Sequence, residues 1–301
     1  MDIDWEDVFR RWSKPSSDTE QEKSDNAERM IGDAIRECPI LAKRTIEVFA
    51  QGSYRNNTNV RQDSDVDICV RCMDTCGYDF SEVPGMTLEG AGMIPASYLY
   101  PQFKSEIGAA LVRKFGEAGV SRGSKAFDVH ANGYRVDADV VAVMEYRYYF
   151  RNYLGHIDYH SGTELYPDSG NKIINWPHQH HENGVKKNIE TSYRFKYITR
   201  IIKRLRNRMD DEGIEAAKPI PSYLIECLAW NVPNEDFGND KYAADVQNAL
   251  AHLYSNMATD KQCGQWLEVN GIKYLFHWAQ PWTRQRALEF IGAAWNYIGF
   301  K

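Results

Sequence analysis

The spacing of apolar residues changes character about half-way along this chain. From Ser17 to Glu37 apolar positions are sparse and helix-spaced (Ala27, Met30, Ile31, Ala34, Ile35), with Ser17 and Asp18 as candidate N-caps. The first forty residues therefore read as helical. TIEVFAQ, Thr45 to Gln51, reads as a short strand ending at Gly52, and Asp65 to Arg71 as a second strand rich in β-branched residues. A Gly- and Pro-containing loop is expected from Asp74 to Pro95, then a helix from Ser97 to Phe115. Lys125 to His130 and Tyr134 to Val143 flank Asn132-Gly133, a dipeptide that suits a hairpin turn because both positions tolerate positive φ. The second arm alternates, with Val136, Ala138, Val140 and Ala142 on one face and Asp137, Asp139 and Val141 on the other. From Glu182 onward helical patterns take over: Glu182 to Met209, Ser222 to Asn231, Lys241 to Met257 and Arg284 to Tyr297. The fold class is thus α/β: a mixed sheet lobe over residues 1–180 and a helical lobe over 181–301, with the seam near residues 160–182.

Composition narrows the class. With 301 residues, 43% hydrophobic and 26% charged, the chain can bury a core without staples. No apolar run reaches the ~18 residues of a membrane span. The start, MDIDWEDVFRRW, is acidic and mixed rather than basic then apolar, so no secretory signal is read there. A cytoplasmic protein follows as the default, and its six cysteines are expected to be free thiols. Cys69, Cys72 and Cys76 lack the second cluster that a zinc site normally has. A net charge of −6 argues against a general nucleic-acid binder. Nine Lys or Arg against two Glu between Glu182 and Arg208 make a local basic element. It is either a solvated helix face or a site for an anionic small molecule. His178, His180, His181 and Glu182 follow Pro177 in an expected loop and read as a polar connection rather than a metal site.

The candidate chemistry sits on the strands. Asp63, Asp65 and Asp67 alternate in DSDVD, so an extended chain points them the same way. Two carboxylates about 6 Å apart repel by about 3 kcal/mol at an effective dielectric of about 20. Water, a proton or a cation must relieve that repulsion, and Mg²⁺ is the hard ion such oxygen sites commonly hold. Gly52 permits close approach of the backbone to an anion, and Ser53 offers a hydroxyl to phosphate oxygens. An anion site and a metal site would then lie a dozen residues apart.

These residues resemble a known family. GSY, followed twelve residues after its serine by DVD, is similar to the signature of the polymerase-β-like nucleotidyltransferases, and VDADVVAV resembles their third-carboxylate strand. QGSYRNNTNVRQDSDVDI, INWPHQHHENGVKKN, FKYITRIIKRLRNRM and PSYLIECLAWNVP resemble, in order, blocks of the bacterial cGAS/DncV-like nucleotidyltransferases, relatives of oligoadenylate synthase and cyclic GMP–AMP synthase. The resemblance implies a bilobal fold with its active site in the cleft between the lobes. It implies Asp65 and Asp67 as catalytic ligands of two Mg²⁺ ions, with Mn²⁺ able to substitute; the third ligand is either Asp139 or Asp137, with Asp139 favoured because Asp139-Val140-Val141 fits the family's strand and Asp137 then an outer group. Gln51, Gly52, Ser53, Lys196, Lys203, Ser222 and Tyr223 would bind nucleotide, Lys203 as the triphosphate lysine and Tyr223 as a ring stacked on the base.

The implied activity is condensation of nucleoside triphosphates, ATP among them, into a cyclic di- or trinucleotide messenger of anti-phage defence. An operon-encoded effector and accessory proteins would be its partners. The acidic balance fits an enzyme with no obligatory nucleic-acid activator. Competing readings are transfer to a small molecule, tRNA end or protein, and a non-catalytic nucleotide binder. Retention of Gly52, Ser53 and every candidate carboxylate speaks against the last.

Overall fold

Ser17 caps the long N-terminal helix as its position predicts. In the computed structural model, which describes residues 3–60 and 65–301, the Ser17 hydroxyl accepts from Glu20 N at 3.3 Å and opens α2 (Asp18–Arg36). A shorter helix, α1 (Trp5–Trp12), precedes it with Asp4 as its cap. Next come β1 (Ile46–Ala50), the single turn α3 (Gly52–Arg55), β2 (Val66–Asp79), α4 (Tyr100–Phe115), β3 (Val120–Arg122), β4 (Phe127–Val129), β5 (Ala138–Arg151), β6 (Ile157–Leu165) and β7 (Ile173–Asn175). The remainder is helical: α5 (Pro177–Glu190), α6 (Arg194–Asp211), α7 (Ser222–Trp230), α8 (Tyr242–Met257), α9 (Asp260–Cys263) and α10 (Arg284–Ile298).

Among the described residues the strands form one seven-stranded sheet of order β1–β2–β5–β4–β3, with β6 pairing β5 and β7. Strands β2 and β5 are parallel, and the other pairs are antiparallel. The hairpin read at Asn132-Gly133 is present, with Asn132 bridging Arg135 and β4 pairing β5. Alternation along β2 and β5 then sorts side chains by face. Ile68, Val70, Val140 and Ala142 share one core with Ala27 and Ile31 of α2 and with Phe103, Ile107 and Leu111 of α4. Each buried Ile, Val, Leu or Phe among them contributes about 1.5–3 kcal/mol. The acidic residues of the same strands fall on the opposite face.

Three local readings need correction. Strand β2 does not yield to a loop at Asp74. A register shift between Cys72 and Cys76 lets it rejoin β5 and run on to Asp79. The stretch from Glu182 to Met209 is not one helix. Ser192 and Tyr193 adopt positive φ of 49° and 68°, and Thr191 Oγ1 accepts from Phe195 N at 3.0 Å, so α6 starts afresh after α5. The expected loop at His178 is the first turn of α5, whose first residue is Pro177, where a missing N–H is tolerated.

The chain packs as two compact units. The described residues of Ser17–Tyr54 and Gln62–Pro177 form the sheet unit, and those of Met1–Ser16, Arg55–Arg61 and His178–Lys301 form the helical unit. Helix α1, with residues 55–61, therefore belongs to the helical unit and not to the sheet unit that holds most of residues 1–180. Val8 and Phe9 are buried in one core with Ile198, Leu205, Leu224, Leu253 and Phe290. Arg200 Nε donates to Ser13 O at 2.7 Å, and Arg204 Nη1 to Trp12 O at 2.6 Å, which satisfies carbonyls at the C-terminal end of α1. No described helix is long and apolar enough to cross a membrane. All six cysteines are free, Cys69 and Cys72 being buried on β2.

Candidate active site

In the sheet unit, the parallel pairing of β2 and β5 sets Asp67 opposite Asp139. On the other side of β5, β4 sets Asp128 opposite the same Asp139. In-register residues on neighbouring strands project to one face, so Asp67, Asp139 and Asp128 form a row across three strands. Asp65 lies just before β2 and interacts electrostatically with both Asp67 and Asp139. Asp63 falls outside the described residues. Burial first, then Asp139 and Asp65, pushes the Asp67 carboxyl up to about 7. Asp139 is raised by burial, then by Asp65 and Asp128, and Asp65 by burial, then by Asp137 and Asp128. No lysine, arginine or histidine among the described residues offsets any of these three shifts. The donor set is hard oxygen carrying unneutralised charge, which fits a hard divalent cation.

Gly52 opens α3 with φ +65°, and a Cβ on it would lie 2.2 Å from Asp67 Oδ2. Only glycine permits that approach. The anion met by the Gly52 backbone in this structure is therefore the carboxylate of Asp67. Gln51 N donates to Asp67 O at 2.8 Å, carrying the β1–β2 pairing up to the acidic residue. Ser53 is half-buried in the same turn, and the buried Tyr54 anchors it by donating to Glu20 Oε1 at 2.9 Å.

Asp137 and Asp139 part company in space. Asp139 stands beside Asp67, whereas Asp137 precedes β5 and its Oδ1 accepts from Ala131 N at 2.6 Å. With Asp128 and His130, Asp137 forms a trio whose ligand atoms lie within 4.8 Å of one another. Asp128 is the member of the row that the sequence reading missed. Counting outward from the Asn132–Arg135 bridge pairs 128 with 139, so the hairpin itself held that signal. A cavity of about 630 Å³ lined by Lys104, Gly108, Val112, Arg122 and Phe127 opens on the α4 side of the sheet. Phe127 and Asp128 point to opposite faces, so this cavity is separate from the carboxylate row.

The helical unit holds the other candidates. Lys203 is only 2% exposed, and its Nζ donates to Glu226 Oε2 at 2.9 Å, Thr58 Oγ1 at 3.0 Å and Thr58 O at 3.2 Å. An ammonium has three donors, so all are engaged and none is left for a triphosphate. Lys203 is thus a buried cation paired within its own unit. Glu226 also accepts from Thr58 Oγ1 at 2.7 Å and lies 2.9 Å from His180 Nε2. Burial alone would raise the Glu226 carboxyl, but Lys203 and His180 outweigh it and hold it well below the usual range. Lys196, seven residues earlier, is half-buried, and its Nζ has no hydrogen-bond or ion-pair partner among the described residues. Burial lowers its pKa, with Glu226 opposing.

Ser222 begins α7 and accepts from Arg206 Nη2 at 2.7 Å, and Tyr223 follows it with its hydroxyl on Glu268. The basic run is not simply a solvated face. Lys187, Arg200 and Lys203 are buried and bond groups of their own unit. Nor do the histidines form a ligand set: His178 meets Arg55, His180 meets Glu226 and His181 meets Asn56.

Comparison with known proteins places this geometry. Residues 182–299 match the cGAS/DncV-like nucleotidyltransferase C-terminal helical domain. The chain is similar to a cyclic dipyrimidine nucleotide synthase, CdnE, of Legionella pneumophila, with 53% identity covering 99% of each chain. A cyclic dipyrimidine nucleotide synthase, CdnE, of Cecembia lonarensis is 40% identical over 98% of each chain. The chain belongs to the cGAS/DncV-like nucleotidyltransferases. The fold agrees with that membership. The structure of the Elizabethkingia meningoseptica CdnE cyclic dinucleotide synthase with GTP and Apcpp superposes with a TM-score of 0.81 at 34% identity, covering 98% of this chain and 99% of that one. As a cGAS/DncV-like nucleotidyltransferase the chain is an enzyme that uses nucleoside triphosphates.

Proposed function

We propose that this chain joins two nucleoside triphosphates, with pyrimidine nucleotides preferred over ATP, into a cyclic dinucleotide that serves as a second messenger in anti-phage defence. In each of two steps a ribose hydroxyl oxygen bonds to an α-phosphorus, the bond to pyrophosphate breaks, and the hydroxyl proton is released. The observation that carries the reading is the in-register pairing of Asp67 with Asp139 beside the Gly52 turn. Base preference is supported by the two relatives named as dipyrimidine synthases, at 53% and 40% identity.

Asp65, Asp67 and Asp139 are the residues that would hold Mg²⁺. Bound there, the cation would neutralise charge on the phosphates and lower the pKa of the attacking hydroxyl. Asp128 adds charge to the row, and Asp137 orients the loop that precedes β5 through Ala131 N. Ser53 offers its hydroxyl to triphosphate oxygens at the Gly52 turn. Lys196, Ser222 and Tyr223 are the candidates for nucleotide contact in the helical unit, Lys196 as the cation whose ammonium has no internal partner among the described residues.

The test is incubation of the purified chain with each single and paired set of ATP, GTP, CTP and UTP, with Mg²⁺ or Mn²⁺, and mass spectrometry of the products. Cyclic products containing U or C, absent with Asp65→Asn/Asp67→Asn, are expected. Linear or acceptor-linked products would overturn cyclisation, and purine-only products would overturn the base preference.

A further inference from the structure

Tyr223 keeps 37% of its surface exposed, yet its ring is held from three directions. The His180 ring lies 5.4 Å away at 31°, and the Trp282 ring 5.9 Å away at 41°. The hydroxyl donates to Glu268 Oε2 at 2.8 Å. Each of these supports is itself fixed. His180 is bound to Glu226, which Lys203 and Thr58 hold in turn. Trp282 Nε1 donates to Leu275 O at 2.8 Å. Glu268 is 3% exposed and accepts from Asn270 Nδ2 at 2.5 Å and from Gln280 Nε2 at 2.7 Å as well as from Tyr223.

Glu268 is an unusual choice for a purely structural position. A buried carboxylate held by neutral donors carries a desolvation penalty that an apolar side chain would avoid. Its three hydrogen bonds converge from the start of α7 and from the segment between α9 and α10. One of the three comes from Tyr223, the only aromatic residue among those donors and one that keeps part of its surface exposed.

We infer that Glu268 is a positioning residue for nucleotide binding, which holds the Tyr223 ring in one orientation with its open side presented to a nucleobase. This rests on the reading that Tyr223 contacts the base. Two physical effects follow from the bond. A ring already fixed loses little freedom when a base stacks on it. A phenol that donates to a carboxylate also carries a more negative ring face, which favours stacking on electron-poor bases.

The experiment uses the full chain with UTP and CTP as substrates. Steady-state KM and kcat are measured for Tyr223→Phe, Glu268→Leu, which removes the acceptor, the double variant and Tyr223→Ala, alongside melting temperature. Tyr223→Phe and Glu268→Leu should each raise KM by roughly three- to tenfold, a fraction of a full stacking contribution, with kcat little changed. The double variant should be no worse than the worse single one, because both break the same bond. Tyr223→Ala should raise KM further. If Tyr223→Ala raises KM while Tyr223→Phe leaves it unchanged, the inference falls and the proposed function stands. Additive KM effects in the double variant would likewise overturn it, since Glu268 would then act by another route. An unchanged KM in Tyr223→Ala removes the base contact and the inference together. Should Glu268→Leu fold poorly, Tyr223→Phe alone still decides the matter, because it keeps both the carboxylate and the ring.

Discussion

In the helical unit, Glu226 is buried among donors: Lys203, His180 and Thr58 all reach it, and its pKa falls. In the sheet unit, Asp67 is surrounded by more carboxylates, and its pKa rises to about 7. Both groups are acidic side chains taken largely out of water. The difference lies in what the chain placed beside them. A charge with every partner supplied from within stabilises the fold once burial has been offset. A set of charges with no internal partner destabilises the free protein and waits for a cation. The contrast separates structural from functional ionisable groups without reference to sequence motifs.

The sharpest way to break this contrast is to neutralise one member of each set. Asp67→Asn should lower cyclic dinucleotide synthesis by at least ~10²-fold, the scale of losing a key transition-state contact, with melting temperature unchanged or higher. Glu226→Leu should do the reverse. It leaves Lys203 buried without its counter-charge and should cost about 3–5 kcal/mol in urea denaturation. A loss of stability in Asp67→Asn, or none in Glu226→Leu, would erase the distinction.

The two regions should also answer pH with opposite slopes. Between its ordinary 3.8 and about 7, Asp67 in the folded chain keeps a proton that the unfolded chain has released. Its contribution to stability is therefore full below the ordinary value and is lost as pH rises towards 7. Melting temperature of metal-free protein should show this decline, which Asp67→Asn flattens and added Mg²⁺ opposes. Glu226 works the other way: its contribution is present above the ordinary 4.5 and is lost as pH falls below it.

Two smaller effects sharpen the boundary. Lys196→Ala should raise KM for triphosphate by roughly tenfold, a loss of about 1.4 kcal/mol, without changing melting temperature, whereas Lys203→Met should destabilise the fold. Asp128→Asn should weaken Mg²⁺ binding by about tenfold, as expected for a charge that supports the ligands rather than being one of them. Isothermal titration of the metal measures it.

Much of this was legible residue by residue. The choice of Asp139 over Asp137 comes only from the resemblance to the family, but the acidic faces stand out because a two-residue period puts Asp65 with Asp67, and Asp137 with Asp139, on one strand face, and that period is local. The Ser17 cap and the Asn132-Gly133 hairpin were readable for the same reason. Asp128 was not, because it becomes a neighbour of Asp139 only through the register of β4 on β5. The break between α5 and α6 carries no Gly or Pro; Ser192 and Tyr193 take left-handed backbone where packing requires it. Strand β6 begins with three exposed residues, so no buried alternation marks its start.

The linear chain by itself determined the α/β and helical halves, the acidic strand faces and the glycine turn at residue 52. Each depends on residues a few positions apart, whose preferences act before any tertiary contact forms. Only the tertiary structure decided which charges serve the fold. Lys203 looks like a ligand-binding cation until Thr58, 145 residues away, and Glu226 surround its ammonium group. Whether a buried charge is satisfied depends on distance in space, and spacing along the chain does not encode that distance.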